Sequence, residues 1–240
     1  LTQHDVAGLN ARFRDAPPLE LLAWAVDRFA PRLALASSFG LEDIVLIDMI
    51  AALPRRPAVF FLDTGRLHQE TYETVDRVRA RYGITVEVYA PLASRVEAMA
   101  SENGYHHIYE DKAARLDCCA VRKVEPLTRA LAGRDAWVTG LRREQTVSRA
   151  GVSLVEHDAA HGLLKLSPLA YWSTADVWAY AKERRLPYNS LHDRGFPSIG
   201  CVPCTRAVEA GEDIRAGRWW WEDPTRRECG LHMPAKEVRP

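Results

Sequence analysis

Short apolar runs alternate with longer stretches of helical periodicity through most of this chain. Residues 33–36 (Leu-Ala-Leu-Ala) and 58–62 (Ala-Val-Phe-Phe-Leu) are uninterrupted apolar runs of strand length, and 84–89 is rich in β-branched residues. A fourth such run spans 136–139. Between them, 19–29, 41–52, 68–82 and 94–102 carry the 3.6-residue spacing of helices, the third stopping at Gly83. A later helix is predicted over 173–185, with Ser173 or Thr174 as N-cap and Asp176 in its first turn. Apolar strands alternating with helices predict an α/β fold, a parallel twisted sheet with helices on both faces. From Pro187 onward Gly, Pro and charge dominate. The chain therefore divides into an α/β domain over 1–190 and an irregular functional segment over 191–240.

In a sheet of this kind ligands bind beyond the carboxyl ends of the strands. Three polar loops follow predicted strands: Ser37-Ser38-Phe39-Gly40, Asp63-Thr64-Gly65, and the stretch from Gly140 to Arg149. They are expected along one edge. The first joins a strand to a helix, where backbone N–H groups and the helix dipole favour an anion. An ordinary N-cap reads the same way, since the glycine-rich phosphate patterns are absent. The third loop carries Arg142, Arg143 and Arg149, whose guanidinium groups suit phosphate or sulfate oxygens. A solvated basic loop is the alternative there.

Composition narrows the choice. The 240 residues are 47% hydrophobic, enough for one sizeable core. Lys+Arg and Asp+Glu each total 32, so there is no basic excess of the kind a nucleic-acid binder shows, and an anion must be held by a local site. The longest apolar stretch, 41–53, is broken by Glu42, Asp43 and Asp48 and is too short for a bilayer. The residues at the N-terminus show no basic region leading into an apolar run. A cytoplasmic protein is expected.

The five cysteines are an odd number, which goes against a disulfide scaffold in a reducing compartment. Cys118-Cys119 and Cys201-x-x-Cys204 form a split four-thiolate set. Cys-x-x-Cys is a half-site for zinc or iron–sulfur and also a redox motif. Adjacent cysteines fit one tetrahedral zinc poorly and a cluster better, since each thiolate can take a different iron. Redox or structural thiols remain alternatives. Cys229 lies in a polar setting near Arg226, Arg227 and His232. Cationic neighbours lower a thiol's pKa, which marks Cys229 as a candidate nucleophile against the alternative of a buried structural cysteine. Arg215 and Arg218 precede it, beside Trp219-Trp220-Trp221.

In this order the motifs resemble those of the adenylyl-sulfate and phosphoadenylyl-sulfate reductase family, from about Ala34 to His232. Ser37-Ser38-Phe39-Gly40-Leu-Glu-Asp43 is similar to the family's modified pyrophosphate loop, and Leu62-Asp63-Thr64-Gly65 to its adenosine-side loop. Gly140-Leu-Arg-Arg-Glu-Gln145 and the terminal Glu-Cys-Gly-Leu-His are also family motifs. The resemblance implies an adenine-nucleotide α-hydrolase-like fold. It implies thioredoxin-dependent reduction of adenylyl sulfate (APS) to sulfite and AMP, in assimilatory sulfate reduction, through an S-sulfocysteine on Cys229. It places Lys123 between a cluster and the substrate sulfate, and Arg149, Arg215, Arg218 and His232 around the phosphosulfate or the nucleophile. Members with the Cys-Cys and Cys-x-x-Cys set carry a [4Fe–4S] cluster, here implied on Cys118, Cys119, Cys201 and Cys204, and mostly use APS. The family also implies a homo-oligomer. Two alternatives share the fold: the same chemistry on the 3′-phosphorylated substrate (PAPS), and an ATP pyrophosphatase. The latter is disfavoured because Ser37-Ser38-Phe39-Gly40 lacks the Ser-Gly-Gly-x-Asp-Ser pattern. A non-enzymatic zinc module would leave Cys229 and the strand-end loops unused.

Overall fold

The computed structural model describes residues 3–223 and Leu231. By its internal contacts the chain divides into two compact units. The first takes the described part of Leu1–Phe61, Glu70–Glu87 and Gly133–Asn189; the second takes Leu62–Gln69, Val88–Ala132 and the described residues from Ser190 on.

The elements follow the hydrophobic pattern closely. α1 (Gln3–Phe13) and α2 (Pro18–Phe29) precede β1 (Leu33–Ser37), α3 (Leu41–Ala51), β2 (Ala58–Leu62), α4 (Gln69–Tyr82), β3 (Val86–Tyr89) and α5 (Ala93–Asn103). After α6 (Lys112–Cys119) and α7 (Glu125–Leu131) come β4 (Ala136–Val138), β5 (Val155–Asp158), β6 (Leu163–Leu166) and α8 (Thr174–Glu183). α2 starts on Pro18, whose fixed φ suits a first helical position, and buries Leu21, Leu22, Ala25, Val26 and Phe29 along one stripe. α8 begins as expected: Ser173 accepts from the Asp176 N–H while the Asp176 carboxylate accepts back from Ser173, a reciprocal cap.

The six strands lie in the order β3-β2-β1-β4-β6-β5. β1 pairs in parallel with both β2 and β4, and β4 with β6. The sequence leads outward from β1 through β2 to β3, then returns to the other side of β1 at β4. The order therefore reverses between β1 and β4, the place where such sheets open a crevice beyond their carboxyl ends. The loops leaving these two strands are Ser37–Gly40 and Gly140–Arg149. One edge departs from the parallel expectation, because β5 and β6 form an antiparallel hairpin. Its outer strand is covered by α1, where Asn10 donates to the Val155 carbonyl at 2.8 Å and accepts from its N–H at 3.2 Å. That satisfies backbone groups an open edge would leave bare.

In the first unit the core is built by β1, the buried middle of β2 and the almost wholly apolar α3. Leu33, Leu35, Ile44, Leu46, Ile47 and Phe60 are fully buried or nearly so. The one acidic residue in the middle of α3, Asp48, accepts from Tyr82 Oη at 2.9 Å and Tyr180 Oη at 2.8 Å. A largely buried carboxylate is tolerable with such donors. In the second unit the core gathers Met99, Ile108, Val121 and Trp219 with Cys118, Cys201 and Cys204. Among the described residues no helix is long and apolar enough to cross a membrane.

Candidate functional site

Chemistry collects in two places, one in each unit. In the first, the turn from β1 into α3 is tied from beneath by Asp43. The Asp43 carboxylate accepts from the Ser38 N–H at 2.6 Å and the Ser38 hydroxyl at 2.8 Å, and from the Gly140 N–H. Burial pushes this carboxyl from 3.8 up to about 6; the bonds from Ser38 oppose the shift and neighbouring Glu42 adds to it. Ser37 Oγ accepts from the Phe39 N–H at 3.1 Å, and Ser38 Oγ from the Gly40 N–H at 3.4 Å. Phe39 holds φ 55° with its ring buried against Phe61, a left-handed conformation that persists only when its surroundings enforce it.

The loop after β4 meets this turn through the first turn of α3. At Gly140 a Cβ would stand 2.4 Å from Asp43 Oδ1 and 2.9 Å from Glu42 Cβ, so only glycine lets the two loops close. Glu42 Oε1 accepts from Arg142 Nε at 3.0 Å, Arg142 Nη2 at 2.9 Å and Gln145 Nε2 at 2.9 Å. Arg142 is 3% exposed and also donates to the Trp172 carbonyl and Thr174 Oγ1. Arg143 donates to the Val152 carbonyl and lies 4.5 Å over the Tyr171 ring, while Arg149 donates to Gln145 Oε1. Of the three arginines expected at an anion, Arg142 is thus spent on holding the loop to α3. Its partners Glu42 and Gln145, and Asp43, are loop-holding positions that spacing alone did not single out. The signal was present: two acidic residues opening a helix whose N-terminus is expected to face an anion must be neutralised by something.

In the second unit Cys118, Cys119, Cys201 and Cys204, all buried and free of disulfides, line one small cavity. Arg66, Arg115, Arg122 and Lys123 share its walls. The two adjacent cysteines line it from the last turn of α6, which passes at Ala120 into a π-helical turn, Ala120–Val124, before α7 resumes. Such wide turns re-aim side chains and cluster at functional sites. Cys201 and Cys204 are set by a 3₁₀ turn in which the Cys204 N–H donates to the Cys201 carbonyl. The Leu62–Gly65 loop packs here: Thr64 Oγ1 lies 3.3 Å from Cys201 Sγ, and the Thr64 carbonyl accepts from Arg122 Nη1 at 2.7 Å. Asp63 Oδ1 accepts from the Gly65 N–H. Burial raises the Cys118 thiol and pushes Cys204 up to about 11; Cys201 adds to both, while Arg122 offsets the first and Lys123 and Arg218 the second. Arg218 is buried, lies 4.6 Å from the Trp219 ring and donates to the Ile199 carbonyl. Arg215 also faces that ring, at 5.6 Å. Cys229 and His232 lie outside the described residues.

Among the described residues no group of three or more His, Cys, Asp or Glu side chains is placed to hold a single metal ion. The four cysteines nonetheless share one cavity. A donor set spread around a cavity suits a polynuclear core, in which each thiolate binds a different metal atom, better than one ion. Buried donors add to this. Among the described residues, Arg122 Nε, Arg218 Nε and Trp221 Nε1 find no hydrogen-bond acceptor, a costly arrangement without a bound acceptor. On donor chemistry the residues fit an iron–sulfur cluster.

Comparison with known proteins bears on both places. Residues 32–207 match the phosphoadenosine phosphosulfate reductase domain. The chain is 52% identical over 221 residues to the adenosine 5′-phosphosulfate reductase of Allochromatium vinosum, covering 91% of this chain and 85% of that one. The crystal structure of phosphoadenylyl-sulfate (PAPS) reductase from Candida auris, a phosphate complex, superposes with a TM-score of 0.75 at 32% identity, over 87% of this chain and 98% of that one. An FMN adenylyltransferase from Candida glabrata shares the fold alone, at 15% identity and a TM-score of 0.56 over 99% of this chain and 83% of that one. The α/β architecture with a mostly parallel sheet, expected from the sequence and implied by the resemblance, thus holds. The chain belongs to the phosphoadenosine phosphosulfate reductase family and is an oxidoreductase of that family.

Proposed function

We propose that this enzyme reduces adenosine 5′-phosphosulfate to sulfite and AMP, with a dithiol protein of the thioredoxin class as reductant and Cys229 as nucleophile. The observation that carries the reading is the set of four buried cysteines around one cavity with Lys123, in a chain so similar to a protein of that name. The Cys229 thiolate attacks the sulfonyl sulfur, the bond from sulfur to the bridging phosphate oxygen breaks, and AMP departs with the electron pair. A thiolate of the reductant then attacks Cys229 Sγ and expels sulfite; its second thiol resolves the mixed disulfide, so the dithiol supplies both electrons. AMP is a good leaving group once its charge is neutralised. Backbone N–H groups at the start of α3 and Arg149 are the groups of the first unit suited to the nucleotide phosphate. Lys123, Arg215 and Arg218 are suited to the sulfate. Cys118, Cys119, Cys201 and Cys204 would hold a [4Fe–4S] cluster, which when bound would supply order and a fixed electrostatic setting, not electrons.

A second reading keeps the chemistry and changes the substrate to PAPS, favoured by the likeness to the Candida auris enzyme. One anaerobic experiment separates them: sulfite release with reduced thioredoxin from APS and from PAPS in parallel, with Cys229→Ser alongside. APS is expected to be strongly preferred, and the serine variant to bind AMP without turning over. Preference for PAPS overturns the substrate; sulfite release from neither, by iron-replete protein, overturns the reaction; full turnover by the serine variant removes Cys229.

A further inference from the structure

Gln145 closes the Gly140-Leu-Arg-Arg-Glu-Gln145 stretch and has no ionisable group, so its residue type alone suggests no chemistry. In the first unit it stands at a junction. It ends the 3₁₀ turn Arg143–Gln145, and a second such turn, Val147–Arg149, follows. Gln145 Oε1 accepts from the Arg142 N–H at 3.1 Å and from Arg149 Nη1 at 2.5 Å. Gln145 Nε2 donates to Glu42 Oε1 at 2.9 Å and to the Gly140 carbonyl at 3.2 Å. A side-chain amide offers two acceptor sites and two donors, and here all of them are used.

These partners decide which way the amide faces. Turned over, its nitrogen would meet two N–H donors and its oxygen a carboxylate and a carbonyl, and every bond would be lost. The oxygen is therefore locked toward Arg149. Through Glu42, in the first turn of α3, the same amide is tied to the helix that follows the Ser37–Gly40 turn. Two successive hydrogen bonds thus set the Arg149 guanidinium relative to the backbone N–H groups that open α3. Arginine has several rotatable bonds, and ordering it only when a ligand arrives costs affinity that a prior anchor saves.

The anchor's charge matters as well as its place. Arg142 is held by the carboxylates of Glu42 and Glu144, which offset its charge. Gln145 holds Arg149 by a neutral oxygen, so this bond leaves the guanidinium's charge for another anion.

We propose that Gln145 is a positioning residue for the nucleotide phosphate: its amide presets Arg149, and because it is uncharged it does so without weakening the cation. This rests on the reading of Arg149 as a phosphate ligand. Loss of one preset long side chain corresponds to roughly tenfold in affinity.

The test measures AMP and adenosine affinity by calorimetry on the full chain, in Gln145→Met, Gln145→Glu, Arg149→Ala and the double variant Gln145→Met/Arg149→Ala. Methionine keeps the length of the side chain and removes its polar ends. Gln145→Met is expected to weaken AMP about tenfold and to leave adenosine, which has no phosphate, within about twofold. In the Arg149→Ala background the same change should weaken AMP by no more than about twofold, since independent sites add and coupled ones do not. Gln145→Glu keeps an acceptor for Arg149 but offsets its charge, so AMP should again weaken at least about fivefold while adenosine does not. An equal loss of AMP affinity from Gln145→Met in both backgrounds, or an equal loss for adenosine and AMP, shows a structural role only and overturns the proposal. Wild-type AMP affinity in Gln145→Met or in Gln145→Glu overturns it too. Arg149→Ala separates the two failures. If it binds AMP as wild type does, the reading of Arg149 has failed; if it binds weakly while the effect of Gln145→Met persists in its background, only the positioning role has.

Discussion

Asp43 offers the sharpest quantitative test of the first unit. Its carboxyl is buried beneath the turn from β1 and titrates near 6, against 3.8 for a free aspartate. The folded protein therefore keeps a proton that the unfolded chain releases. By linkage, stability from this group is fully present below pH 3.8 and lost as pH rises through 6. The whole shift corresponds to about 3 kcal/mol, of which about 2 kcal/mol falls between pH 4.5 and 7.5. Other carboxylates titrate in the same range, so the wild-type curve alone does not isolate Asp43. Asp43→Asn does, because the amide cannot ionise. Asparagine also presents an N–H₂ group towards the donors of Ser38 and Gly140, which costs a roughly constant amount at every pH. Urea unfolding of both proteins at intervals from pH 4.5 to 7.5 should show the variant gaining about 2 kcal/mol on the wild type as pH rises. A difference that stays constant, or moves in wild type's favour, would refute the argument that burial outweighs the three donors.

Two further outcomes are expected. Gly140→Ala pushes a methyl into Asp43 Oδ1 and Glu42 Cβ; overpacking of this kind costs about 1–3 kcal/mol, and AMP affinity measured by calorimetry should fall at least tenfold, whereas unchanged affinity would detach the loop contact from nucleotide binding. Lys123→Ala should slow S-sulfocysteine formation greatly while the visible absorbance of the iron centre persists; unchanged kinetics would count against a role at the sulfate.

The sheet was legible because its strands are short, apolar and bounded by turn residues. β2 has the predicted limits and β1 and α3 differ from them by a single residue. What the pattern missed has physical causes. The β5–β6 hairpin is only four residues a strand and turns through Gly162, too short to declare itself. The helical stretch from α6 to α7 carries Pro126 and adjacent cysteines, which obscure its periodicity, and its π turn leaves no sequence signature. The four cysteines and the strand-end arginines stood out by residue type. Their partners did not: Glu42 and Arg142 are separated by 100 positions, Arg115 and Glu222 by 107.

That separation changes how the arginines should be read. From sequence, each Arg beyond a strand end is an equal candidate for the anion, because a guanidinium's chemistry is the same wherever it sits. Folding makes them unequal by deciding which donors are already spent. Arg142 gives its fork to Glu42 and to Glu144, the Trp172 carbonyl and Thr174, and Arg115 gives its own to Glu222. Arg122 and Arg218 keep a buried Nε for which the described residues supply no acceptor. A buried charged donor without an acceptor costs several kcal/mol unless a ligand completes it, so on the proposed reading these two arginines are the better candidates to meet a bound group. The others are spent within the fold: Arg142 holds the loop after β4 against α3, and Arg115 pairs with Glu222.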